Sequence, residues 1–461
     1  MTDSPNFLLI HSDQHRFDCV GVNGHPFLQT PHLDRLAGEG VNFTRAFCPV
    51  PVCTPARNSL LFGQWPTQHL AIANGDTEAP RPAREGLASW SGLLAEAGYR
   101  MGYVGKWGLA PQTSPAAYGF HDYVPDHDYA AWRAGKGLTP PPRTQGFFGE
   151  TDPQIEASQS RLAWGADQAA ALLTRYAQAG QPFFLRWDPS EPHLPNIVPE
   201  PYASLYPPAA IPPWPGFPDP LLGKPYAQAQ QRRTWGVDQW AWRDWAPLVG
   251  RYLGEITLLD AQVGRLLSHL DALGLARNTV IIYTTDHGDM CGSHGMIDKH
   301  MVMYDDVVHV PLIVRLPGGA ARGACDAFVS SALDLAATFC ELAGVPIPET
   351  FAGQSLALLL GGAEGNGRNC IFSMYHGSQF GLYSQRMVRD ARWKYVWNAT
   401  AEDELYDLTR DPGEIVNLAT APECRDELRR LRRRLVEWME PLRDPLCNGW
   451  LKPQLLEDRT R

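Results

Sequence analysis

Short apolar runs alternate with longer amphipathic segments along most of the chain. The runs are uninterrupted, which is typical of strands buried on both faces of a parallel sheet. They lie at residues 6–12, 100–104, 182–187, 278–285 and 311–315. Helical patterns lie at residues 31–38, 89–98, 164–179, 248–273 and 332–342. This alternation predicts an α/β fold in which helices flank a mostly parallel sheet.

The pattern changes near residue 368. Short strand candidates at residues 371–374, 386–389 and 393–397 alternate there with turns, and a basic-faced helix follows at 423–439. We therefore predict two units, a catalytic domain at residues 1–367 and a smaller C-terminal subdomain at residues 368–461.

Polar side chains follow two of the predicted strands. Asp13 and Gln14 come directly after the first apolar run, and Asp286 and His287 come directly after the run at 278–285. Ligands collect at the carboxyl ends of strands in open α/β sheets, and hard cations prefer oxygen ligands. For Asp13 alone, a loop carboxylate or a helix cap is the simpler interpretation. The shared strand-end position favours a metal site.

Cys53 precedes a segment of helix formers that runs to Phe62, with Pro55 at a position that tolerates a missing N–H. A lone cysteine is most often a small buried apolar residue. At a helix N-terminus, however, backbone N–H groups and the helix dipole favour an anion. Arg57 lies one turn further on and can reach the same place.

The order Cys53-x-Pro55-x-Arg57, followed by Leu60-Leu61-x-Gly63, resembles the signature of the type I sulfatases of the alkaline phosphatase superfamily. The resemblance extends over nearly all 461 residues. It implies an alkaline phosphatase-like α/β domain with a large mixed, mostly parallel sheet, and a C-terminal antiparallel sheet with one helix. It also implies that a formylglycine-generating enzyme oxidises Cys53 to formylglycine, whose hydrate is the nucleophile.

The same resemblance implies the roles of the other site residues. A divalent metal, Ca²⁺ or alternatively Mn²⁺, would be held by Asp13, Gln14, Cys53, Asp286 and His287. The nucleophile and the transferred anionic group would be contacted by Arg57, Lys106, His193 and Lys299. The substrate is then a small anionic ester.

Gly108 departs from the family pattern, because sulfatases usually carry a histidine at this place after Gly105-Lys106-Trp107. We expect Gly108 to leave room beside the nucleophile for another base, and we nominate His300 or a water molecule. Phosphonate monoester hydrolases, which are close relatives, also lack this histidine.

Three functions remain open on these grounds. The first is a formylglycine-dependent sulfatase, the second is a phosphonate monoester hydrolase or phosphodiesterase on the same scaffold, and the third is an inactive sulfatase-like binding protein. The intact Cys53 motif and the intact set of metal ligands argue against the third function.

The composition of the chain limits the classes of binding partner and the cellular compartment that we expect. The net charge of −10 argues against a nucleic-acid partner, and no apolar run has the length of a membrane span. Nine scattered cysteines without a CxxC pair do not form a disulfide framework. We therefore expect a cytoplasmic enzyme with no membrane partner. The segment after Pro441 is a candidate contact in a homo-oligomer.

Overall fold

The computed structural model describes residues 4–74, 82–110, 112–318, 321–377 and 382–457. Its strands are β1 (Asn6–Ser12), β2 (Val41–Phe43), β3 (Ala46–Phe47), β4 (Arg100–Gly105), β5 (Asp122–Pro125), β6 (Glu150–Thr151), β7 (Phe183–Asp188), β8 (Ile197–Val198), β9 (Thr279–Thr285), β10 (Leu312–Arg315), β11 (Gly323–Cys325), β12 (Val329–Ser330), β13 (Ile371–Gly377), β14 (Tyr383–Arg389), β15 (Trp393–Asn398) and β16 (Glu404–Asp407). Its α-helices are α1 (Pro31–Glu39), α2 (Cys53–Phe62), α3 (Pro66–His69), α4 (Trp90–Glu96), α5 (Asp128–Gly135), α6 (Arg161–Ala179), α7 (Tyr226–Trp235), α8 (Trp242–Ala272), α9 (Asp305–Val308), α10 (Ser331–Leu342), α11 (Ala357–Leu360), α12 (Arg425–Met439) and α13 (Leu451–Leu456).

Eight strands form the large sheet, in the order β11-β2-β10-β9-β1-β7-β4-β5. The central strand β1 pairs in parallel with β7 on one side and with β9 on the other. Strand β10 runs antiparallel to both of its neighbours, so the sheet is mixed but mostly parallel. The predicted α/β class and sheet type are confirmed.

Helices cover both faces of this sheet, which explains why its strands are continuous apolar runs. Phe7 and Leu9 of β1 point toward a core that includes side chains of α2, α4 and α10. Leu8 and Ile10 point to the opposite face, where they join side chains of α1, α6 and α8. Successive strand residues thus face opposite layers, and both layers consist of buried apolar side chains.

The smaller C-terminal sheet is antiparallel and has the order β13-β14-β15-β16. Leu431 and Leu435 of α12 pack on it beside Tyr395 and Leu405. The predicted small sheet with one long helix is confirmed, whereas the division between residues 367 and 368 stays a prediction. None of the helices in the described part of the chain has the length and apolar character needed to cross a bilayer.

Helix α6 begins at Arg161, three residues before the predicted start. Ser160 explains the difference, because its side-chain oxygen accepts a hydrogen bond from the backbone N–H of Ala163 and so caps the helix. The earlier start places Arg161 beside the site described next.

Candidate active site

Four parallel strands end at the same edge of the large sheet and place polar side chains there. Asp13 follows β1, Lys106 follows β4, Asp188 ends β7 and Asp286 follows β9. The three carboxylates are fully buried, while Lys106 retains partial exposure. The carboxyl edge of the sheet therefore holds the charged groups, as the strand-end argument predicts.

Cys53 is the first residue of α2 and is only 4% exposed. Its Sγ atom lies 3.2 Å from Nε2 of His287 and 3.7 Å from Oδ1 of Asp13. The helix N-terminus thus directs residue 53 into the group of strand-end side chains. The predicted meeting of Cys53 with Asp13 and His287 occurs in the structure.

Arg57 organises the carboxylates beneath Cys53. Its Nε, Nη1 and Nη2 atoms donate to Asp286 at 3.0 Å, to Asp188 at 2.6 Å and to Asp13 at 2.9 Å. All four side chains are buried, so the guanidinium neutralises charges that would otherwise repel one another in a medium of low polarity. The expected contact of Arg57 with the substrate stays a prediction.

A group of possible metal ligands surrounds Cys53. Ligand atoms of Asp13, Cys53, Asp286 and His287 lie within 4.8 Å of one another. This spacing is close to twice the length of a bond between a divalent ion and its ligand, so one ion can reach all four. Nδ1 of His287 donates to the carbonyl of Gly288 at 2.9 Å, which fixes the ring with Nε2 facing Cys53.

The charge in this group also favours a cation. Burial opposes protonation of His287, yet Asp286 and Cys53 raise the pKa of its imidazole to about 9. Two carboxylates, a sulfur and an imidazole so close together fit a divalent metal site.

Gln14 lies beside this group with a positive φ of 67°. Its side-chain oxygen accepts a hydrogen bond from Nζ of Lys299 at 2.9 Å, and its amide nitrogen donates to Asp289 at 2.5 Å. Its backbone N–H donates to Asp286. Gln14 therefore joins the ligand group to Lys299, and its predicted role as a ligand stays a prediction.

Cationic side chains lie near the thiol of Cys53. Nζ of Lys106 lies 2.6 Å from Oδ2 of Asp13, and Nζ of Lys299 lies 2.7 Å from Nε2 of His193. Burial and Asp13 raise the pKa of the Cys53 thiol, but the charges of Lys106, Lys299 and His287 outweigh them and place it well below its usual range. This environment stabilises an anion at residue 53.

His193 is oriented by two contacts. Nδ1 lies 2.6 Å from the carbonyl oxygen of Leu194, to which it donates, so Nε2 accepts the hydrogen bond from Lys299. His300, in contrast, has its Nε2 atom 3.2 Å from Oδ2 of Asp298. Within the described residues, the imidazole in contact with Cys53 is that of His287, and the role of His300 as a base stays a prediction.

The expectation that Gly108 leaves room for a base is wrong. A Cβ atom at residue 108 would lie 2.7 Å from Cδ and 3.1 Å from Nε of Arg57, and the backbone has a positive φ of 64°. The space is filled by the arginine that joins the three carboxylates. Glycine at this position allows Arg57 to pack against the loop.

Gly108→Ala is therefore expected to displace Arg57 and to lower kcat/KM by about 100-fold, as a misplacement near 1 Å can do. It should also destabilise the fold by about 1–2 kcal/mol, because alanine is disfavoured at positive φ. Gly137→Ala is the matched control, since φ is 75° and no atom of the described residues lies within 4 Å of the added Cβ. Enzyme kinetics and thermal melting of both variants separate the clash from the backbone cost. Equal activities of the two variants would contradict the packing explanation.

Sequence reasoning missed Asp188 and its partners. Oδ2 of Asp188 accepts hydrogen bonds from Arg57 and, at 2.7 Å, from Arg186, and it lies 3.2 Å from Nδ1 of His11. The signal was present, because Asp188 ends an apolar run just as Asp13 and Asp286 follow theirs. Asn74 was also missed, and its Oδ1 accepts a hydrogen bond from the backbone N–H of Thr54.

A cleft of about 390 Å³ adjoins the site, and Lys106 and His193 belong to its wall. Glu191 and Glu255 also line it, and the backbone oxygen of Glu191 accepts a hydrogen bond from the N–H of Asp13 at 3.2 Å. The site thus combines a nucleophile position, a ligand group, a border of cations and an adjoining cleft.

Comparison with known proteins identifies the family to which the chain belongs. The sulfatase family model matches residues 5–345, and the model for the C-terminal part of N-sulphoglucosamine sulphohydrolase matches residues 292–441. The chain belongs to the sulfatase family. The enzyme is a hydrolase that acts on sulfuric esters, and the family resemblance drawn from the Cys53 motif is confirmed.

Individual relatives match over nearly the whole chain. An uncharacterized sulfatase of Escherichia coli K12 is 30% identical, covering 99% of this chain and 92% of the relative. An arylsulfatase of Clostridium perfringens is 27% identical and covers 96% of both chains. The crystal structure of the phosphonate monoester hydrolase of Agrobacterium radiobacter is 25% identical, covers 95% of both chains and superimposes with a TM-score of 0.80.

Proposed function

We propose that this sulfatase cleaves the sulfate monoester of a small alcohol, with formylglycine at residue 53 and Ca²⁺, or alternatively Mn²⁺, as cofactors. The observation that carries the proposal is the placement of Cys53. Cys53 is the first residue of α2, and its side chain is almost fully buried and lies among Asp13, Asp286 and His287. A thiolate is a soft ligand for a hard cation, whereas a hydrated aldehyde offers oxygen.

When bound, the metal supplies a Lewis acid for the ester oxygens and the formylglycine hydrate supplies the attacking oxygen. The chain's own residues provide the surrounding charge. Arg57 holds Asp13, Asp188 and Asp286 at fixed positions. Lys106 would bind the equatorial sulfate oxygens, which stabilises the charge that develops there during cleavage.

Lys299 and His193 would serve the leaving oxygen. His193 lines the cleft, and its 2.7 Å contact with Nζ of Lys299 holds the two side chains together. A lysine ammonium at this position donates a hydrogen bond to the oxygen of the departing alcohol and stabilises its negative charge. His193 keeps Lys299 aimed at that position through Nε2.

A phosphonate monoester hydrolase is the second candidate. Gly108 favours it, because those relatives also lack the histidine usual at that place, and one of them superimposes closely on this chain.

Three substrates with one leaving group distinguish the candidates: 4-nitrophenyl sulfate, 4-nitrophenyl phenylphosphonate and bis-4-nitrophenyl phosphate. We expect the sulfate ester to give the highest kcat/KM for enzyme coexpressed with a formylglycine-generating enzyme. A higher kcat/KM for the phosphonate would support the second candidate. No turnover of any of the three esters would contradict the proposed substrate range.

The cytoplasm is our proposed compartment. All nine cysteines are unpaired in the structure, as expected where thiols stay reduced. Maturation by a formylglycine-generating enzyme and assembly into a homo-oligomer belong to the same proposal. Cell fractionation followed by size-exclusion chromatography with light scattering tests the compartment and the assembly.

A further inference from the structure

The connection between β9 and β10 (residues 286–311) carries much of the candidate site. Asp286 and His287 lie at its start, and Lys299 lies in its middle. Its helical structure is limited to one 3-10 turn at Ser293–Gly295 and the short helix α9. The conformation of this connection therefore depends on contacts with other parts of the chain, and whatever holds it also holds the ligand group.

Two backbone hydrogen bonds join the start of the connection to α9. The N–H of Gly288 donates to the carbonyl oxygen of Val307 at 2.7 Å, and the N–H of Asp289 donates to that of Asp306 at 3.1 Å. The fit is close, because a Cβ atom at residue 288 would overlap the backbone oxygen of Asp306. The carbonyl of Gly288 accepts a hydrogen bond from Nδ1 of His287. The imidazole of His287 is thus connected to α9 through a single residue.

The C-terminal subdomain holds the first residue of α9, which is Asp305. Its carboxylate lies 2.9 Å from Nη2 of Arg389 and 2.5 Å from Nζ of Lys394. Its backbone N–H donates to Oε2 of Glu414 at 2.7 Å. Burial opposes the ionisation of Asp305, yet the charges of Arg389 and Lys394 hold the pKa of its carboxyl well below the usual range. A charged Asp305 is therefore bound by three residues of the subdomain.

Lys394 lies at the centre of this junction, and its side chain is fully buried. Three oxygens surround Nζ, namely Oδ1 of Asp305, Oε1 of Glu414 at 2.7 Å and the backbone oxygen of Met303 at 2.9 Å. Asp305 and Met303 both belong to the connection between β9 and β10. Removal of the ammonium would leave the carboxylates of Asp305 and Glu414 close together without it, which is unfavourable for buried charges.

We propose that Lys394 is a positioning residue for the candidate active site. By holding Asp305 and Met303, it fixes the connection that carries the metal ligands, and the C-terminal subdomain thereby determines where His287 lies. The inference rests on the proposed metal site and adds a residue outside it. Altering a group that orients a metal ligand typically changes metal affinity by about 10- to 100-fold.

The first test measures metal affinity in Lys394→Met, which keeps the length of the side chain and removes its charge. Ca²⁺ is titrated calorimetrically into enzyme that has been freed of metal by chelation, and Mn²⁺ is titrated in the same way. We expect the Kd for the ion to rise by about 10- to 100-fold relative to the wild type. Asp305→Asn keeps the shape of its side chain and should weaken binding in the same direction.

Leu435→Ala is the control for a general loss of stability. Leu435 packs between α12 and the C-terminal sheet beside Tyr395, so this variant destabilises the same subdomain without changing a charge at Asp305. Thermal melting fixes a temperature at which all variants are folded. At that temperature we expect Leu435→Ala to keep the wild-type Kd for the ion.

Hydrogen exchange measured by mass spectrometry follows the connection without any metal. The peptide that contains Gly288 and Asp289 reports the two backbone hydrogen bonds to α9. In metal-free protein we expect these amides to lose protection in Lys394→Met and in Asp305→Asn, and to keep it in Leu435→Ala.

Two results would overturn the positioning role of Lys394. One is a wild-type Kd for the ion in both Lys394→Met and Asp305→Asn. The other is an equal rise of the Kd in Leu435→Ala, which is the mark of a merely structural effect. Failure of the proposed metal site looks different, because then the wild type binds neither Ca²⁺ nor Mn²⁺. Hydrogen exchange would in that case decide alone whether Lys394 holds the connection.

Discussion

Cys53→Ala is expected to lower kcat/KM for a sulfate ester by about 10⁴-fold or more, the range seen when a catalytic nucleophile is removed. The reason is positional. Residue 53 directs its side chain into the ligand group, with Sγ 3.2 Å from His287, so the variant loses the attacking atom itself. The loss of one sulfur from a helix N-terminus should leave the fold intact.

Cys424→Ala is the matched control, because Cys424 lies beside α12 in the C-terminal subdomain. Mass spectrometry of the peptide that contains residue 53 accompanies the kinetics. Active wild-type enzyme should show the aldehyde or its hydrate in place of the thiol. Full activity with an unmodified thiol at residue 53 would contradict the formylglycine proposal.

Asp286→Asn is expected to release the metal and to lower kcat by about 10²- to 10³-fold, the cost of losing one preorganised electrostatic contact. Oδ2 of Asp286 accepts from Nε of Arg57, and Oδ1 lies 3.7 Å from Nε2 of His287. The amide keeps the shape but removes a negative charge from the ligand group. Elemental analysis of purified protein measures the metal directly.

Asp167→Asn is the control for this variant, because Asp167 forms an exposed pair with Arg265 on the outer surface. Added Ca²⁺ or Mn²⁺ should restore part of the activity of Asp286→Asn if the site is weakened. Wild-type metal content together with a wild-type rate in Asp286→Asn would remove Asp286 from the ligand set.

The sequence alone was sufficient to predict the strands that are buried on both faces by apolar side chains. Strands β1 and β9 lie between two apolar layers, so an uninterrupted apolar run identified them, and the carboxylates after them were placed correctly. The contact of His193 with Lys299 joins residues 106 positions apart. Local patterns carry no information about such a distance, and here the family resemblance rather than periodicity placed both residues in the site.

Two features of the site depended on packing, and the sequence analysis predicted one of them wrongly and missed the other. Gly108 was expected to leave open space, but its neighbour is the side chain of Arg57, which no local pattern locates. Asp188 was missed, and in the sequence it lies two residues after Arg186 at the end of an apolar run. In the structure it also holds Arg57, and burial makes that contact part of the site.

The central position of β1 has a consequence for the order in which the protein is made and folds. This strand pairs with β7 and β9, whose partner residues lie 177 and 273 positions later, so Asp13 and Arg57 are synthesised long before Asp188 and Asp286. Non-local pairings of this kind form late in folding. Until β9 docks, Cys53 at the N-terminus of α2 lacks its neighbours Asp286 and His287, and the proposed maturation by a formylglycine-generating enzyme would act on this more accessible state. Activity then requires that β9 has docked on β1. In a refolding experiment, the recovery of activity therefore reports this late docking step rather than the early formation of α2.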